Sequence, residues 1–291
     1  MKMNYITKIK ANISIYASKK TSNILDGSYK SIYKGRSMNF EDLREYVVGD
    51  NIKDIDWKAS ARSGKLLIKQ YIAEKKHNIM LVLDTGKKML ADTKENESKK
   101  DVSIITAGSI AYLANKNGDY VGAIYNKNNE ISFFPFREGL FNIERILSNY
   151  ESDIEENGNS YIENALEYLN KNLKRRMIIF IITDLKGMDT IKEETLKRLS
   201  CVHDVMAINI TDAEMTGESA FDVEENGYIP KFILEDKKLN ELEKKRKEEI
   251  YSRTKKIFEK NRISTTTINK ESEITPKIIE LLERYRNANI R

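Results

Sequence analysis

The chain has 291 residues, 40% of them apolar and 33% charged, and its 50 Lys and Arg exceed its 45 Asp and Glu by five. That length suits one large α/β domain with an appendage or two small domains, and so mild a positive excess does not mark a nucleic-acid-binding protein. The single cysteine, Cys201, excludes an internal disulfide framework and suits a reducing compartment. Lys2, Lys8 and Lys10 interrupt any signal-peptide core, and the longest apolar run, 177–182, falls far short of a membrane span. A cytoplasmic protein with no transmembrane segment is expected.

In chain order, Ile6, Ile9, Ile13 and Tyr16 recur at helical spacing over 4–17, and 28–37 reads as a strand or hairpin. A dense block follows: Phe40, Leu43, Arg44-Glu45-Tyr46, Gly49-Asp50, Ile55-Asp56-Trp57 and Ala61-Arg62. It places the only tryptophan among charges of both signs. Two readings stand, an internal clamp of Arg–carboxylate pairs over a packed Trp57, or an exposed partner surface. The uninterrupted apolar run 79–83 then reads as a strand buried on both faces, ending in Asp84-Thr85-Gly86. An acid at the carboxyl end of such a strand is a site candidate, although Asp-Thr-Gly is also ordinary turn chemistry.

Beyond it the pattern predicts a helix over 98–116, strands at 120–125 and 131–134, and helices over 139–150 and 160–173. The link 126–129 is too short for a parallel crossover, so those two strands should be antiparallel. The run 177–182 is a second fully apolar strand, ending in Thr183-Asp184. Helix 189–200, strand 203–210, helix 236–260, strand 263–268 and helix 275–286 complete the alternation, with an excursion over 211–234. Strands and helices alternating in this way imply an α/β doubly wound sheet, mostly parallel.

The block and the strand after it carry a resemblance. Phe40, Arg44, Glu45, Tyr46, Gly49, Asp50, Ile55, Asp56, Trp57, Ala61, Arg62 and Asp84 fall in the order found in the bacterial family called domain of unknown function 58. Its members are von Willebrand factor A-like proteins. Lys53 stands where that family usually has arginine, and the match continues more weakly to His203-Asp204-Val205 and Asp212-x-Glu214. The resemblance implies a signature segment over 1–76 and a von Willebrand factor A-like domain over 77–291. It also implies a non-enzymatic interaction scaffold, partner of a MoxR-type AAA+ ATPase that matures or remodels other proteins.

The same resemblance implies a metal-ion-dependent adhesion site, in which Asp-x-Ser-x-Ser, a later Thr and a further Asp hold one magnesium. The corresponding residues here are Asp84, Gly86, Lys88, Ser160 and Asp184. Both serines are gone, so a strictly octahedral ion has too few protein oxygens. The site is expected to be degenerate, with no cofactor and with magnesium disfavoured. Lys88 is expected to take over the ion's electrostatic role between Asp84 and Asp184, or else to point to solvent.

Other chemistry is sparse. Glycine-rich phosphate cradles are absent, and two histidines with one cysteine leave little room for zinc. His203 reads as a packed strand-end residue, His77 as solvated and Cys201 as a small buried residue. Residues 235–262 hold eleven Lys/Arg against seven Asp/Glu. They read as a solvated helix with Leu239, Leu242, Ile250 and Ile257 toward the core, the alternative being an anionic-surface or nucleic-acid contact. A metal-dependent hydrolase at the strand ends is the remaining rival, without a visible base or nucleophile to serve it.

Overall fold

A computed structural model describes residues 5–17, 29, 42–50, 52, 55–70, 76–127, 130–155, 161–213, 221–222, 227–228 and 236–289. The strand or hairpin expected over 28–37 lies outside these residues except for Tyr29, as do Phe40, Lys53, Ser160 and most of the 211–234 excursion.

A six-stranded sheet organises the chain. Its strands are β3 (Asn78–Leu83), β4 (Tyr120–Lys127), β5 (Glu130–Arg137), β6 (Ile178–Thr183), β7 (Asp204–Ile210) and β10 (Ser264–Ile268). Two short pairs precede and interrupt it: β1 (Asp42–Glu45) with β2 (Leu67–Gln70), and β8 (Phe221–Asp222) with β9 (Gly227–Tyr228). The large sheet runs in the order β10-β7-β6-β3-β4-β5, all parallel except β5, which pairs antiparallel with β4 at one edge. This is the mostly parallel, doubly wound α/β sheet that the sequence pattern implied, antiparallel edge included.

Why 79–83 carries no polar break follows from the two faces it serves. Ile79, Leu81 and Leu83 enter one core layer, and Met80 and Val82 enter the other. The first layer lies under α1 (Tyr5–Ala17), α3 (Lys99–Lys116), α4 (Leu140–Glu155) and α9 (Ile274–Asn289). The second lies under α5 (Ile162–Asn172), α7 (Glu193–Val202) and the end of α8 (Lys237–Lys260). Each fully buried aliphatic side chain contributes about 1.5–3 kcal/mol, so a strand buried on both faces anchors the domain. At Gly108 the packing of α1 on α3 needs the missing side chain, because a Cβ there would lie 2.2 Å from Ile9 Cδ1.

Several details depart from the sequence pattern. The expected helix 189–200 starts later, as α7 at Glu193, and a separate short helix, α6 (Leu185–Asp189), precedes it, capped by the Asp184 side chain through the Gly187 amide. In α8 only Thr254 and Phe258 are buried; Leu239 and Leu242 face solvent, so the expected apolar face covers only the C-terminal end. That helix is tied down by Arg253 to Asp189 at 2.6 Å and Lys260 to Glu193 at 2.8 Å. Cys201 is exposed rather than buried. His77 is half-buried, with its Nδ1 3.3 Å from Asp119 Oδ1, rather than solvated. Among the described residues no helix is long and apolar enough to cross a membrane.

Candidate functional site

The strand order reverses at β3: the chain moves outward to β4 on one side, and β6 lies on the other. Loops diverge at such a point and leave a crevice at the carboxyl ends of the two strands. Asp84 follows β3 and Asp184 follows β6, and both are buried, at 0% and 1% exposure. Two carboxylates held there would repel one another unless something positive lay between them.

Lys88 is that charge. It sits in a 3-10 turn over Lys87–Leu90, one turn beyond Asp84, and its Nζ lies 2.7 Å from Asp84 Oδ2 and 3.0 Å from Asp184 Oδ1. Burial works to lower the Lys88 pKa, but the coulombic pull of Asp84 and Asp184 outweighs it, and the net shift is upward. The alternative, a lysine pointing to solvent, does not describe this side chain, which is 15% exposed.

A second ammonium, missed in the sequence, completes the site. Lys99 is fully buried, with Nζ 2.9 Å from Asp184 Oδ2 and in contact with Asp212 Oδ1. Its burial is likewise outweighed by Asp184 and Asp212, so its pKa is raised. For Asp184 burial favours the neutral acid, but Lys99 and Lys88 together hold its pKa well below the usual carboxylate range. The result is two lysines set against three aspartates. Lys99 is the first residue of α3, next to the Ser98 cap, where the helix dipole disfavours a cation. Placement against the dipole does not single it out, because Lys100 shares that first turn.

Small residues make room for this arrangement. A Cβ on Gly187 would lie 1.9 Å from Thr183 Oγ1, 2.6 Å from Lys88 Nζ and 2.8 Å from Asp84 Oδ2. The amide of Gly187 donates to Asp184 Oδ1 at 2.7 Å, and that of Gly86 to Asp84 Oδ1 at 3.0 Å. Thr183 donates its hydroxyl to Asp84 Oδ2. Beneath the loop, Tyr150 donates to the Asp84 carbonyl at 2.9 Å, and burial pushes its phenol pKa up so that it stays a donor.

Every oxygen of both carboxylates therefore already accepts from an N–H or O–H group. Magnesium demands near-octahedral oxygen ligation, and the space between Asp84 and Asp184 holds the Lys88 ammonium instead. The described residues do not fit that ion. Among them there is also no group of three or more His, Cys, Asp or Glu arranged to hold any metal. Ser160, the hydroxyl that the family pattern would add, lies outside the described residues.

The signature block forms a separate small unit. Arg44 grips Asp50 with both guanidinium nitrogens, at 2.7 and 2.6 Å, and Asp50 also accepts from the Val47 amide at 3.0 Å. This pins the turn that holds Tyr46 and Gly49, while Glu45 pairs with Lys65. Asp56 caps α2 (Trp57–Ser63), accepting from Lys58 N and Ala59 N at 3.1 and 3.0 Å. Of the two readings of this block, the buried clamp over a packed Trp57 is corrected here. Arg44 and Arg62 are exposed, and Trp57 is 64% exposed rather than packed beneath them. Ile55 and Ile68 fill the small core in its place.

The family model described as "Protein of unknown function DUF58" matches residues 42–220, from the signature strand to beyond β7. The chain belongs to the DUF58 family. It is 22% identical over 232 residues to Uncharacterized protein Rv1480 of Mycobacterium tuberculosis, covering 77% of this chain and 72% of that one. With Uncharacterized protein YeaD of Bacillus subtilis it shares 31% identity over 116 residues, 40% of this chain and 27% of the relative. Among solved structures, a von Willebrand factor type A protein from Catenulispora acidiphila aligns at 9% identity and a TM-score of 0.43, over 74% of this chain and 43% of that one. A Bacteroides fragilis structure described as an aerotolerance-related membrane protein aligns at 16% identity and a TM-score of 0.44, over 71% of this chain and 98% of that one.

Proposed function

We propose that this DUF58 protein is a non-enzymatic interaction scaffold whose strand-end site is braced by lysine instead of a metal ion. Its partner in this reading is a MoxR-type AAA+ ATPase acting in the maturation or remodelling of other proteins, in the cytoplasm. The observation that carries the reading is Lys88, seated between Asp84 and Asp184 where the related fold would hold a cation. A carboxylate clamped by ammonium groups and held below its usual pKa range is a poor general base, and the neighbouring Thr183 hydroxyl is already spent on Asp84. A site of this kind supports a fixed binding surface better than it supports hydrolysis.

Size-exclusion chromatography of the protein mixed with a purified MoxR-type ATPase from the same cell tests the partnership. A co-eluting complex is expected; separate elution with and without nucleotide overturns it. Manganese-dependent cleavage of ester, phosphoester or peptide substrates, lost in Asp84→Asn, would overturn the non-enzymatic half.

A further inference from the structure

Helix α2 carries two unlike stripes on one exposed face. Trp57 lies on one; Lys58 and Arg62, four residues apart, lie together on the next, and all three are exposed. Leu66, Val47 and Val48 add apolar surface, at 49%, 62% and 94% exposure. The backbone makes them neighbours. The Tyr46 amide donates to the Leu66 carbonyl at 2.8 Å, and the Asp56 amide donates to the Leu67 carbonyl at 2.9 Å. Leu66 thus lies between the turn that carries Val47 and Val48 and the start of α2. An apolar cluster of this kind with a polar rim marks an interaction site.

The charges decide what fits it. Arg44 is matched by Asp50 and Lys65 by Glu45. Lys58 and Arg62 have no carboxylate within ion-pair distance among the described residues, so the apolar face is bordered by two cations that no described carboxylate matches. Tryptophan and arginine are also the residues that most often dominate the energy of protein interfaces. An anionic bilayer is the weaker fit: membrane sites of that kind carry roughly four to eight clustered cations, and this rim contains three carboxylates.

Resting on the scaffold reading, we infer that this face docks an acidic, apolar protein segment. Aspartate or glutamate side chains of the segment meet Lys58 and Arg62, and a bulky apolar side chain covers Trp57 and Leu66. The signature block is then the partner-reading element of the chain.

Selection of random 16-residue phage-displayed peptides against the full chain tests this, followed by fluorescence anisotropy of the enriched peptides. The expected consensus combines Asp or Glu with Phe, Trp or Leu. Trp57→Ala should weaken the selected peptide about tenfold or more. The double variant Lys58→Glu with Arg62→Glu should lose it, and should bind the same peptide with its acids replaced by lysine. That charge exchange separates recognition from any loss of folding, which thermal melts of each variant check directly. No enriched peptide, a consensus without acids, or equal binding to all variants overturns the inference. So does Trp57-dependent binding to phosphatidylserine–phosphatidylcholine vesicles without peptide binding, which would assign the face to a bilayer. If the inference fails while the ATPase still co-elutes, the scaffold reading stands and the contact lies elsewhere.

Discussion

The molecule holds two clusters built from the same chemistry, basic side chains gripping aspartates, in opposite surroundings. At the strand ends Lys88 and Lys99 meet Asp84 and Asp184 at 0–15% exposure. In the signature block Arg44 and Asp50 make a geometrically better, bidentate pair at 42% and 21% side-chain exposure. Water and salt screen the second, so it fixes the shape of a turn without adding much stability. The first has lost its water, so each charge depends on its partner, and removing one leaves another stranded. Burial, more than hydrogen-bond geometry, sets what an ion pair is worth.

The sharpest way to break that contrast is Lys99→Ala. It strands part of Asp184 in the interior and should cost on the order of 3–5 kcal/mol in urea unfolding. A loss under about 1 kcal/mol would place the pair among ordinary surface bridges. Gly187→Ala comes next. Its methyl group would overlap the Thr183 hydroxyl and crowd Lys88, and overpacking of this kind costs about 1–3 kcal/mol. An unchanged unfolding midpoint would mean that the site is looser than described.

His203 extends the comparison to a buried group without an ion-pair partner. It is 4% exposed, its Nδ1 has no hydrogen-bond partner, and burial pushes its pKa down. The unfolded chain therefore takes up this proton more readily than the folded one. The stability is complete above the unfolded value of about 6.5 and falls as pH drops below it. His203→Asn should flatten the melting temperature between pH 7 and pH 5 relative to wild type; parallel profiles would contradict this. The smallest effects belong to the exposed cluster. Arg44→Ala and Trp57→Ala should leave the melting temperature essentially unchanged, and a large drop in either would restore the buried-clamp reading of the signature block.

How much of this was legible in the sequence depended on the kind of signal. β3 and β6 could be read because strands buried on both faces must be apolar throughout, and the antiparallel β5 because its link is too short for a crossover. Asp84 and Asp184 could be placed because each ends an apolar strand, and Lys88 because the family resemblance sets it where the second serine ligand would stand. Lys99 could not. It lies fifteen positions from Asp84 along the chain, and a lysine in Ser-Lys-Lys-Asp looks like solvated helix-start sequence. Asp212 stood out in the family pattern, yet only the fold brings it to Lys99. Trp57 stayed between two readings for a related reason: paired charge types around a tryptophan show that it has neighbours but not which side of it faces water. Ile55 and Ile68, one on each side of α2, took the interior position.

The central claim is that an ammonium stands in the place of a metal ion, and titration calorimetry with manganese tests it most directly. Wild type should give no stoichiometric heat, whereas Gly86→Ser with Lys88→Ser should bind, since it removes the tethered charge and returns two hydroxyl ligands to a pair of aspartates already in position. A wild-type protein that binds one manganese ion, and loses it in Asp184→Asn, would contradict the account.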